Sequence, residues 1–350
     1  MKKIRNGTLD FCRFIFSLLV VLLHFNITNA GNYFLNILGN SLCRLAVPFF
    51  IFISGFYFFS QTTDDNRYSE FHKILYKLTN LFINWLILYI PYTIILYMTH
   101  KDKIFELPLN FIFIFQRGCP FLPGSGFLFA LVMALFVVLI INSVIHNKMI
   151  CFIIYLSIYL FVCLSVYSFV IMRFIGKIPI NLMAIPVIAC AFYIAEKKEK
   201  ISKFLTNINR LFMLLLGLSL SCIEYSICVN FKIMKINKPL LLVFTLICVV
   251  LIFLSVYNIR IIFFDKYSKE FHDLSVFIYF SHFYFVVFFR KLFLVHYIPG
   301  VAIITFLSFI FVLLLRRFQS GEIVLDLLIR GKKNIISATL ERFSKYQKEY

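Results

Sequence analysis

The sequence predicts an all-α protein, a polytopic membrane bundle of about ten transmembrane helices with both termini cytoplasmic. Three observations predict it. Apolar residues make up 61% of the 350-residue chain and charged residues only 15%, too little polar surface to coat a soluble globule of this size. Apolar runs near the roughly 20 residues needed to cross a bilayer recur from end to end, separated by short polar breaks. The 35 lysines and arginines are also unevenly shared. With the amino terminus inside, about two thirds of them fall on the cytoplasmic side, the side that basic residues near span ends favour.

The spans are predicted over residues 9–28, 42–60, 76–99, 126–145, 149–171, 177–195, 211–229, 239–257, 273–294 and 297–316. Residues 1–316 thus form a membrane domain and 317–350 a basic amphipathic tail. The first span follows Lys2, Lys3 and Arg5, and Thr28-Asn29-Ala30 would pass as a signal-peptide cleavage site. Arg13 and His24 interrupt its apolar core, however, and the further spans make a retained anchor the natural reading. In the second span Pro48 is expected to break the helix and free a carbonyl, and Gly55 permits close approach. Residues 100–125 contain LNFIFIF, too short to cross, and Gly118, Pro120, Pro123 and Gly124 oppose a continuing helix. They form either a surface loop or a lid dipping into the outer face. The later spans follow with short connections. In the tail, Ile323, Val324, Leu327, Leu328, Ile335, Ile336, Leu340 and Phe343 alternate with Arg330, Lys332, Lys333, Arg342 and Lys345, which suits solvated anchoring on an anionic inner leaflet.

Several function classes are disfavoured. The net charge of +19 reflects topology and attraction to anionic membrane lipids, and nothing in its distribution points to nucleic acid. The nine cysteines are scattered without a CxxC and read as small apolar fillers. The seven histidines offer no HxxxH or HExxH, so no metal site is expected. No internal repeat is visible, which counts against inverted-repeat carriers.

The chemistry concentrates in FCRFIFSLLVVLLHF, residues 11–25. A charge at the bilayer centre costs at least roughly 2.5–3.5 kcal/mol, so ionisable groups inside a span have a partner or a task. Arg13 and His24 are eleven residues apart, about three turns plus 20°, so both leave one helical face about 16 Å apart along the axis. Arg13 is expected roughly 6 Å inside the cytoplasmic boundary and His24 roughly 22 Å in. A ligand using both must be long, anionic at its cytoplasmic end and reactive at the other. An acyl-CoA fits: its phosphates would meet Arg13 and its thioester would reach His24, with Asp10 three residues before Arg13 able to hold the guanidinium. The competing reading has Arg13 snorkelling to lipid phosphate and His24 in a structural interhelical bond.

These residues carry a resemblance. LDFCRFIFSLLVVLLH, residues 9–24, resembles the first span of the acyltransferase-3 family, whose signature is an arginine, ten residues and a histidine. RLAVPFFIFISGF at 44–56 resembles the family's second span, GFLFALVMALFVVLI at 126–140 its "LWFL" segment, and FIYFSHFYF at 277–285 its late "YLIH". The four blocks keep the family order and cover nearly the whole chain. The resemblance implies transfer of an acyl group, most often acetyl from acetyl-CoA, to a hydroxyl of a saccharide or lipid-linked glycan. No permanently bound cofactor is implied. The chain departs from the family in three places. FHKILYKL at 71–78 offers only Lys73 and Lys77 where an arginine-rich step is usual, which attract phosphate without the bidentate fork. Gly126 and Phe127 stand where the tryptophan of "LWFL" would be. The soluble hydrolase-like domain of some members is lacking.

Under that resemblance His24 is the general base for the acceptor hydroxyl, or the carrier in an acyl-histidine relay. His282 binds the donor or orients the base, unless it serves core hydrogen bonding alone. Ser54 reads first as packing and not as a nucleophile, because no GxSxG elbow surrounds it, and any functional role it has is a substrate contact. Arg44, at the outer mouth, grips an anionic acceptor or anchors the interface. Glu224, at about the depth of His24, is a candidate partner for the imidazole or a sugar hydroxyl. The leading expectation is a bacterial inner-membrane O-acetyltransferase acting on surface polysaccharide, alone or with polysaccharide assembly machinery. The rivals are a carrier or flippase for a lipid-linked glycan and a scaffold. The first-span pair and the low glycine count of 12 favour the enzyme.

Overall fold

A computed structural model describes residues 6–24, 33–99, 125–167, 180–205, 208–230, 244–292 and 297–332. Residues 100–124 of the loop or lid expected at 100–125, and the tail beyond 332, lie outside them. Among the described residues there is no strand, and thirteen α-helices follow one another. They are α1 (Gly7–His24), α2 (Tyr33–Gln61), α3 (Arg67–Thr99), α4 (Ser125–Val144), α5 (Lys148–Tyr167), α6 (Ile180–Glu196), α7 (Lys198–Leu205), α8 (Arg210–Asn230), α9 (Thr245–Val256), α10 (Ile262–Lys266), α11 (Ser268–Leu292), α12 (Tyr297–Arg317) and α13 (Gln319–Leu328). A helix overlaps each of the ten predicted spans. By length and composition α1, α2, α3, α4 and α8 are apolar enough to cross a membrane. The protein is an all-helical membrane bundle.

Local sequence explains where the helices begin. The Asn6 side chain accepts from the amides of Thr8 (3.0 Å) and Leu9 (3.2 Å), capping α1. Asn147 accepts from the Met149 amide at 2.9 Å before α5, and Asn209 from the Phe212 amide at 3.2 Å before α8. The Gly7 amide donates to Asp265 of α10 at 2.8 Å. A Cβ on Gly7 would stand 2.2 Å from the Phe264 backbone, so only glycine lets α10 close on α1.

Helix α2 is the hub, packed against α1, α4, α6, α8 and α9. Its Ala46, Phe49, Phe52 and Ile53 are fully enclosed. Gly55 faces α6, where a Cβ would meet Ile188 at 2.6 Å. The break expected at Pro48 does not occur, and α2 runs through it. Packing on several neighbours holds the helix where the ring removes one backbone bond. Helix α1 lies chiefly between α2 and α11 and also touches α12.

The other difference lies in the tail. Residues 319–332, expected to be a solvated surface anchor, dock into the bundle. Asn84 donates to Leu327 O at 2.7 Å, Trp85 to Leu328 O at 2.8 Å and Asn80 to Gly331 O at 3.1 Å, so α3 satisfies carbonyls at the end of α13. Gly331 has φ +59°, a left-handed turn pressed against Lys77 O. Asp273 of α11, 1% exposed, bonds Arg316 at 2.7 Å and Arg330 at 3.3 Å. Arg316 also pairs with Glu270, and Arg330 bonds Glu322 and Asp326 at 2.7 Å each. A charged cluster thus ties α11, α12 and α13 together.

Candidate active site

The site grows from α1. Eleven residues at the helical repeat bring Arg13 and His24 to one stripe, and the structure turns that stripe into the seam with α11. Arg13 donates to His272 Nδ1 on α11 at 3.3 Å and to Ser54 Oγ on α2 at 3.5 Å. The Asp10 carboxylate stands 3.9 Å from its guanidinium. Asp10 is itself 2% exposed and accepts from the Ser268 hydroxyl at 2.6 Å. The cation is therefore aimed by one carboxylate, one imidazole and one hydroxyl drawn from three helices. A guanidinium so held presents its fork without first being ordered.

At the other end of the stripe His24 meets His282 of α11, ring centroids 5.0 Å apart, and Phe283, 4.3 Å apart. His24 is half-buried and His282 is 1% exposed. His282 Nδ1 lies 2.6 Å from Tyr279 O and 3.2 Å from Ile278 O. Arg13 thus faces His272, and His24 faces His282, along two helices that pack side by side. The interval is eleven residues on α1 and ten on α11, about 16 Å and 15 Å of helix, as parallel neighbours require.

Of the residues expected from sequence, Arg13, Asp10, Ser54, His24 and His282 meet in this seam. Ser54 contacts Arg13, well away from Arg44, the other expected acceptor contact ten residues earlier on α2. Arg44 lies over the Tyr225 ring of α8, 5.0 Å from its centroid. Glu224, 4% exposed, accepts from the Phe244 amide at 2.9 Å and so holds the start of α9. The carboxylate touches neither histidine, so the imidazole partnership expected from depth is not made. Arg44 and Glu224 share a second seam, between α2, α8 and α9. Lys73 is exposed and pairs with Glu70 at 2.7 Å, and Lys77 is exposed beside α13. Neither ammonium contacts Arg13.

His272 is the residue that the sequence did not disclose. It lies one position ahead of its predicted span, and ten residues before His282 is two turns and about 280°, so the two share no face in helical projection. Only the docking of α11 on α1 reveals it.

A family model described as an acyltransferase domain matches residues 6–317. The chain belongs to the acyltransferase-3 family. Comparison with curated proteins and with solved structures gives no match. The match spans every residue of the α1–α2–α11 seam, so the protein is a membrane acyltransferase, and its arginine and histidine stripe lies in the matched region.

Proposed function

We propose that this acyltransferase moves acetyl from acetyl-CoA to a hydroxyl of a surface polysaccharide or lipid-linked glycan in a bacterial inner membrane. The observation that carries the reading is the seam itself: Arg13 and His24 both turn into it, one cationic and pre-aimed, the other an imidazole about 16 Å further along. Arg13 takes the phosphates of the donor, steadied by Asp10 and Ser54, with Lys73 and Lys77 on the approach. The thioester is then delivered near His24. His24 removes the proton from the acceptor hydroxyl as its oxygen attacks the thioester carbonyl. The carbon–sulfur bond breaks and the proton passes to the departing thiolate, giving ester and free CoA. Arg44, ten residues before Ser54 on α2, receives an anionic portion of the acceptor. Glu224 holds that wall of the site by fixing α9.

Gene deletion tests this. Proton NMR of the cell-surface glycans is expected to lose its O-acetyl signals, and wild-type protein to restore them while His24→Ala and Arg13→Ala do not. Loss of whole glycan, not only its decoration, would mark a flippase. Normal acetylation with His24→Ala at wild-type abundance would retire the catalytic assignment.

A further inference from the structure

We propose that His282 is a positioning residue for His24: it holds a bare acceptor nitrogen that bonds His24 as the imidazolium forms and its N–H groups become stronger donors. The inference rests on the reading of His24 as the base, and deepens it. The geometry at Nδ1 fixes the tautomer. Its neighbours are the carbonyl oxygens of Tyr279 and Ile278, at 2.6 and 3.2 Å, and a carbonyl only accepts. Nδ1 therefore carries the hydrogen, and in the neutral ring Nε2 carries the lone pair. That Nε2 is buried and has no hydrogen-bond partner among the described residues. The large majority of buried side-chain polar atoms have a partner, so a bare imidazole nitrogen in a side chain 1% exposed calls for a reason.

The reason lies next to it. The His24 ring sits 5.0 Å away, tilted by 34°, and Phe283 closes the same space at 4.3 Å from both imidazoles. The rings overlap obliquely, so neutral His24 does not bond His282. When His24 takes the hydroxyl proton, the O–H bond breaks, a new N–H forms, and the imidazolium has a donor at each ring nitrogen. The new N–H faces the reacting oxygen. The other, already present in the neutral ring and made a stronger donor by the charge, needs an acceptor in a space closed by Phe283, and His282 Nε2 belongs to the ring 5.0 Å away. The proton stays on His24 until it leaves with the thiolate. A bond absent in the resting state and made as charge develops lowers the barrier without tightening donor binding. His272 stands in a different relation, because it already accepts from Arg13.

The test uses the full-length protein purified in detergent, radiolabelled acetyl-CoA, and cell-surface polysaccharide isolated from the deletion strain as acceptor. His282→Phe keeps the ring and removes both nitrogens. His282→Gln also loses the bond to Tyr279 O but carries an acceptor oxygen at the reach of Nε2. The expected result is a kcat about 10- to 100-fold lower for His282→Phe with KM for acetyl-CoA within about 2-fold, and recovery of most of kcat by His282→Gln. If the phenylalanine variant does not accumulate, His282→Leu supplies the same contrast. Equal losses in the glutamine and apolar variants, an unchanged kcat, or a change confined to KM would overturn the proposal. Activity in His24→Ala would overturn instead the reading of the base, so the two failures are distinguishable.

Discussion

Arg13 shows how a single side chain is specified from several directions. Its charge is balanced by Asp10, and its fork is divided between His272 and Ser54. Lysine offers a point charge on a flexible stem and no planar fork. Arg13→Lys should therefore raise KM for acetyl-CoA about tenfold while kcat stays within about twofold, because an interaction made equally in ground and transition states is lost. Initial-rate kinetics across acetyl-CoA concentration check this, and a fall in kcat at unchanged KM would place Arg13 in the chemical step. Arg13 and His24 were legible because the eleven-residue interval is a property of one helix. His272 was not, because its place depends on how α11 docks, and periodicity within α11 turns it about 80° from His282.

At the scale of the helix, termini and interiors differed in legibility. Asn6, Asn147 and Asn209 announce α1, α5 and α8 through capping chemistry that acts within three residues. Pro48 misled because local chemistry opposes a helix there and tertiary packing restores it, a balance no window of sequence contains. Helix α3, at 33 residues, is about 50 Å long and exceeds the roughly 30 Å of hydrocarbon, so its polar first turns precede the span predicted at 76–99. Gly7 tests the helix ends. An added Cβ would meet the Phe264 backbone, which cannot turn aside as a side chain would, and would part the Gly7 amide from Asp265. Gly7→Ala should cost about 1–3 kcal/mol and lower the melting temperature in detergent by several degrees. Gly217→Ala, whose Cβ would find its neighbours at 3.2–3.3 Å, should change it far less. Equal melting of the two variants would contradict the close α1–α10 contact.

Across the whole molecule, distant charges are gathered into one cluster. Glu270, Asp273, Arg316, Glu322, Asp326, Arg330 and Lys332 look in sequence like ordinary span-end and tail charges. Folding brings them to the junction of α11, α12 and α13, one residue from His272. Asp273→Ala leaves two arginines without their shared buried carboxylate and should destabilise the junction by about 3 kcal/mol, read as a lower melting temperature. Acid offers a second lever with a defined sign. The Arg330 guanidinium holds the Glu322 carboxyl below its ordinary 4.5. Burial opposes ionisation of Asp326, but bonds from Lys332 and Arg330 outweigh it and hold that carboxyl below 3.8. Carboxyls lowered by folding contribute stability that is fully present above their ordinary values and lost as the pH falls through the lowered ones. Docking of α13 should therefore be indifferent to pH between 7 and 5 and weaken below about 4.5. Hydrogen exchange at residues 319–332, corrected for intrinsic rates, should show equal protection at pH 7 and 5 and loss at pH 3. Arg330→Gln should show low protection at all three. Loss between pH 7 and 5 would implicate a histidine instead and remove these carboxylates as the clasp.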